Sequence, residues 1–545
     1  LTLDPFNFKI NAKTVGVNIL YKKKPLELEY IKTQISLISL LKKKFVSSKL
    51  ELSTRSILLK DLVSFIKTSA NKPELFILEN ATKNGQVIVN MEVNFDENGN
   101  VKQDYKIKGS LKDGKIKLSK NYNFEKINFF LNVNNKIFSF KDLSFVTSKT
   151  KFFSNNLKII QQKDNFLFEG EIENKNSNLN KELLELLNLD SKNLNFINTN
   201  FFSKNKFSFN VDNKLKINDL NIISEIKVNK SEYPKPILLD NYFHDVNNLI
   251  DIKDHIIKIK YKKNDLLLKG SGKIKLDKDY NKINYTIINK QNNFNINSNI
   301  ELNELKLKNQ KFLKPFFPKQ KEVTNLKSQK IEINYSKDNL SIKAVGKIKL
   351  ENEFEDIDFF ISKIKDNFNF DTQVNLEKTS FIVDFLNFEK DNELKTKIII
   401  NGNYNDQNEL NFTEINIEEK NNKIVLENLL LDKNNLIIKV DKIDLDYFDV
   451  EKKQNKFKIL RSKKNSYNIN GSLLNANKLI NDLLKIKSTD DPKILKNNIN
   501  LNLDLNKVYI DEKNIVKNLN GKLNIKDNEI IKANIHGLFD NNGNL

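Results

Sequence analysis

Apolar and polar residues alternate along almost the whole chain. Phe368, Phe370, Val374 and Leu376 are interleaved with Asn369, Asp371, Gln373 and Asn375. Ile499, Leu501, Leu503 and Leu505 are interleaved with Asn500, Asn502, Asp504 and Asn506. The same period recurs at Val87, Val89, Met91 and Val93, at Phe207 and Phe209, and at Ile331 and Ile333. A period of two places one apolar and one polar face on each β-strand. The pattern predicts a mostly β fold: a long, twisted antiparallel sheet curled into an elongated groove (a β-taco), with a few short peripheral helices. The apolar positions above are its expected lining.

Departures from alternation are few. Residues 1–54 read as strands. Ile57, Leu58, Leu62, Phe65 and Ile66 share one helical face within 55–70, and Pro73 bars its continuation. Further helices are expected at 181–188, at 236–251 opening on Pro236, and at 475–486, with an apolar elbow at 309–318. Asn98-Gly99 and Asp113-Gly114 read as tight hairpin turns. A Gly followed by an alternating strand recurs at 109–118, 270–276, 345–350 and 520–525. The chain divides into an N-terminal groove region (1–230), a mixed region with helical connectors (231–330) and a C-terminal groove region (331–545).

Composition narrows the function. With 8 Pro and 14 Gly in 545 residues, no Pro- or Gly-rich linker separates beads on a string. The formal net charge is +21, but Arg55 and Arg461 are the only arginines. Lysine dispersed over the polar strand faces reads as a solvated surface. Cys is absent, which excludes disulfides and thiolate sites. No run approaches the ~18–20 apolar residues of a membrane-spanning helix. The chain opens at Leu1 inside a strand-like pattern, so an anchor is expected outside it.

Chemistry is sparse. His244, His255 and His536 are the only histidines, and no third ligand completes a metal set. Gly109-Ser-Leu-Lys-Asp-Gly-Lys115 fits a phosphate loop, but Ile116 stands where Ser or Thr should hold magnesium, and a strand follows instead of a helix. Alternation puts Phe and Lys on opposite faces, as at Lys206 and Phe207, which counts against a single-strand nucleic-acid binder. No cofactor, no nucleic acid and no enzymatic activity are expected.

The expected helices are too short to cover the apolar face. Either the sheet closes on a dry core, or it stays open for apolar cargo. Some 35 strands at ~4.8 Å would span on the order of 170 Å, several bilayer thicknesses. An acyl chain crossing water costs ~0.8 kcal/mol per CH₂, which an apolar trough removes.

The stretches Pro73–Val89, Asp104–Leu118, Tyr467–Ile480, Asn500–Ile510 and Leu519–Ile525 resemble the strand–Gly–helix and strand-pair elements of AsmA/TamB-like envelope proteins, in their YhdP-like branch. The resemblance implies a periplasmic protein of a Gram-negative envelope, anchored to the inner membrane by a helix outside this chain. It would carry phospholipid, held by its acyl chains, toward the outer membrane. It carries over no catalytic residue. The alternative is a non-transporting scaffold for structure or outer-membrane assembly.

Overall fold

The computed structural model describes residues 1–69, 73–118, 122–186, 195–214, 216–237, 239–308, 313–391, 393–404, 409–434, 436–484, 497–526 and 529–539. Strands dominate, and 34 of them belong to one hydrogen-bonded sheet. Among the described residues there are six short helices: α1 (Leu37–Leu41), α2 (Leu59–Ser69), α3 (Pro73–Ala81), α4 (Lys181–Leu186), α5 (Leu239–Tyr242) and α6 (Asn477–Leu484). Most strands pair antiparallel with the next or next-but-one strand. Ser466–Asn475 and Ile499–Tyr509 instead pair in parallel, with α6 on the crossover between them. A parallel pair needs such a crossover, whereas a hairpin gives an antiparallel one.

The chain forms two compact units. One comprises Leu1–Pro234 with Leu249–Lys273 and Ile287–Asn292. The other comprises Lys235–Asn248, Ile274–Thr286 and Asn293–Leu545. In the first, α2 buries Val63 and packs Leu59 and Leu62 against a core of Val87, Leu111, Ile127 and Leu143. In the second, a larger core runs from Phe317 to Leu519.

Several expectations are corrected. Among the described residues of the span 236–251 the helix is only α5: Phe243–His244 pair with Lys306–Leu307, Asp245–Asn248 are irregular, and from Leu249 the chain is strand against Asn221–Pro234. Asp113-Gly114 is not a hairpin turn: the strand Lys106–Lys117 runs through it. Asp113 has φ 52° and the register slips between Leu111 and Gly114, the signature of a β-bulge. The bulged N–H of Asp113 donates to Asn128 Oδ1 at 3.0 Å on the next strand, which absorbs the extra residue. Residues 1–54 are not all strand, since the Ser36 side chain caps α1 by accepting the Ser39 N–H at 3.2 Å.

The recurrent glycines lie inside strands, not ahead of them. A Cβ on Gly346 would come within 2.5 Å of the Gln329 side chain, and one on Gly471 within 2.3 Å of Phe457 Cβ. Glycine makes room there for a large neighbour across the ladder. Residues 187–188, 309–312 and 485–486 of the expected helices and elbow lie outside the described residues.

Candidate functional site

Register turns the alternating pattern into rows that cross the strands. In the second unit, Val374 faces Ile398 and Ile398 faces Ile417. The row continues through Ile424, Leu445 and Phe457. After the small Gly471 it resumes at Leu505 and Leu519. Apart from half-buried Val374, the large side chains of this row are buried.

One step toward the other strand ends lies a second row. It runs through Ala344, Phe359, Thr372, Ile400, Ile415, Leu426, Ile443, Ile459, Ile469 and Leu503, on ten strands. Beyond Ala344, every member is only half-buried. Burial thus falls along each strand: Leu376 is 0% exposed, Val374 and Phe370 are half-buried, and Phe368 is 38% exposed. The opposite face carries the charges, with pairs such as Lys347–Asp356 at 2.7 Å and Lys458–Asp444 at 2.9 Å.

What seals the buried row is an insert between Leu376 and Thr396. It forms a small hairpin, Ile382–Val383 with Phe388–Glu389, around a 3₁₀ turn. Phe381, Val383 and Phe388 enter the core, joined by Phe317 from the elbow. The Phe388 and Tyr447 rings meet edge to face at 5.8 Å.

The strand ends beneath the insert are polar and buried. Glu355 Oε1 accepts the N–H groups of Lys378 and Thr379, and Oε2 accepts that of Glu377. Burial pushes the Glu355 carboxyl up, but these hydrogen bonds outweigh it and hold the group below its usual range. Lys390 Nζ donates at 2.9 Å to the carbonyls of Glu377 and Asp391, and burial holds its pKa below the ordinary lysine value. Thr396 donates to Glu419 at 2.5 Å. This network satisfies the backbone of the insert, which would otherwise be buried without partners.

The first unit carries a comparable row: Ile31, Leu52, Met91, Ile107, Val133, Phe138, Ile159, Phe168 and Phe209. Phe209 stacks on Phe168 at 4.9 Å and on Phe207 at 5.8 Å.

The sequence-derived lining falls into three groups. Val87, Val93, Leu376 and Leu505 are buried in the cores. Val89, Met91, Phe207, Phe209, Ile331, Ile333, Phe370, Val374, Ile499, Leu501 and Leu503 are half-buried on the row-bearing faces, and Phe368 is exposed at a strand end. The insert escaped the sequence reading. Its signal was weak: apolar residues Phe381, Ile382, Val383, Phe385, Leu386 and Phe388 without steady alternation.

His244 Nδ1 lies 2.6 Å from Asp245, and His255 is buried opposite Val228. Among the described residues, no three His, Asp or Glu side chains converge on a metal position, and no helix is long and apolar enough to cross a membrane. No family model matches the chain, and no curated protein or solved structure does so either.

Proposed function

We propose that this chain holds lipid acyl chains against its apolar rows and carries phospholipid between the inner and outer membranes, as the AsmA/TamB resemblance implies. On this reading it works in the periplasm, anchored to the inner membrane by a segment outside this chain, and it catalyses no reaction. The observation that carries the reading is the half-buried row from Phe359 to Leu503. Its strands span roughly 40 Å at ~4.8 Å each, enough for an extended acyl chain. The row offers apolar surface and, apart from Thr372, no hydrogen-bonding side chain to trap a moving ligand. Each buried CH₂ of a ligand gains ~0.8 kcal/mol without a fixed anchor.

A photo-crosslinker at Ile459 should capture phospholipid in the envelope, whereas one at Lys458 on the opposite face should not. Equal capture at both positions, or at neither, rejects the reading. Mass spectrometry of gently extracted protein should then show co-purified phospholipid.

The sealed row under the insert favours a second reading, a closed scaffold without cargo. Under it, apolar dyes would find no saturable site on the native protein, and Ile459 would crosslink only to protein.

A further inference from the structure

The surface of the first unit has one feature that the groove leaves unused. α2 turns Val63 inward and α3 half-buries Leu75 and Glu79, but the outward arc of α3 is apolar. Its consecutive residues Phe76, Ile77 and Leu78 are 57%, 47% and 37% exposed. Three successive positions cover about 200° of a helical wheel, so packing on the sheet alone cannot account for them.

The neighbouring hairpin turn extends the same apolar surface. Tyr21 meets Phe65 of α2 at 6.4 Å, and Leu20 beside it is 72% exposed. Lysines border the patch. Lys67 Nζ lies 4.8 Å from the centre of the Phe76 ring, and Lys22 Nζ lies 5.3 Å from that of Tyr21. Residues 20–24, 59–69 and 73–83 together hold six lysines against three acidic residues. One of those acids, Glu79, is paired with Lys67 at 2.5 Å.

We infer that α2, α3 and the 20–24 turn dock on the surface of a bilayer that contains anionic lipid. Apolar side chains on a short helix reach the headgroup–acyl boundary, and lysines beside them meet anionic headgroups while their stems stay on apolar surface. The excess of lysine gives the charge complementarity that selects a membrane over an apolar protein face. The inference does not depend on acyl chains occupying the rows.

The test uses the full chain and vesicles of phosphatidylcholine, alone or mixed with phosphatidylglycerol. The protein should pellet with the mixed vesicles, far less with phosphatidylcholine alone, and progressively less as salt rises. The chain has no Trp, so Phe76→Trp places a single reporter in α3, whose emission should shift to the blue on the mixed vesicles. Replacing Lys22, Lys23 and Lys24 by Gln should weaken binding on the order of a hundredfold. Phe76→Ser with Ile77→Ser should abolish pelleting with the melting curve unchanged.

Leu503→Asp separates this surface from the rows, because it should lose retained lipid yet still pellet. Unshifted Trp emission, or pelleting by the Lys and Phe76/Ile77 variants at the wild-type level, overturns the inference. So does loss of pelleting in Leu503→Asp alone. A wild-type chain that ignores both vesicles also overturns it and assigns the patch to a protein partner.

Discussion

Tyr447 Oη donates a 2.7 Å hydrogen bond to the carbonyl oxygen of Leu386, at the tip of the insert that covers the buried row. Tyr447 is 3% exposed, so this bond is shielded from water, and burial pushes the phenol pKa well up. Tyr447→Phe keeps the ring against Phe388 and removes only the hydroxyl. It should cost about 1 kcal/mol. Hydrogen exchange should quicken at 382–389 and stay unchanged in the first unit.

Glu355 gives the insert a dependence on acid. Its folded pKa lies below the unfolded value of about 4.5. Such a group contributes stability that is present above the unfolded pKa and is lost as pH falls through the folded one. Exchange at 377–383 should therefore rise as pH drops below about 4.5, before the rest of the unit opens. Glu355→Gln turns one acceptor oxygen into a donor facing N–H groups. It should cost roughly 2–3 kcal/mol at neutral pH and remove that acid step.

Leu503 and Leu505 sit two residues apart on one strand, one in the half-buried row and one in the buried row. Leu505 is 1% exposed, so Leu505→Asp buries a charge without a partner and should unfold the second unit. Leu503 is half-buried, so Leu503→Asp should cost no more than about 2 kcal/mol while lowering lipid retained on purification. Melting curves and lipid mass spectrometry read the two effects separately.

The glycines predict another contrast. At Gly346 a new Cβ meets the end of the Gln329 side chain, which can move, so Gly346→Ala should be mild and milder still with Gln329→Ala. At Gly471 the Cβ meets Phe457 Cβ and Cα and the Lys456 carbonyl, which cannot. Gly471→Ala should cost about 2 kcal/mol or more, with no rescue from Phe457→Leu.

Strand character was legible because alternation is a local signal, and Val87–Val93 or Ile499–Leu505 needed no tertiary information to be read. The rows were not legible: a sequence shows which residues share a face but not which residue opposes which across a ladder. The bulges were hidden for the same reason. Asp113-Gly114 looks like a hairpin turn until Asn128 on the next strand supplies an acceptor for the displaced N–H. Asparagine repeats this service, with Asn156 accepting the N–H of Glu171 and Asn455 that of Asn475. The abundant asparagine therefore supplies acceptors where the ladders break register. The helix expected at 236–251 is cut short to α5, because its later residues are claimed by strand pairing at Phe243–His244 and from Leu249 onward.

The crossover between Asn475 and Ile499 also governs how the molecule is built. Upstream of it, most strands bond to a partner already synthesised only a few residues earlier, so a nascent chain lays down its sheet hairpin by hairpin. Ile499–Tyr509 must instead wait for a connection of more than twenty residues, α6 included, to close before its ladder begins. Loop closure of that kind delays pairing. The last three strands should accordingly fold as a late, separate step, and an unfinished chain halted near residue 476 would expose Ser466–Asn475 as a vacant edge open to mispairing.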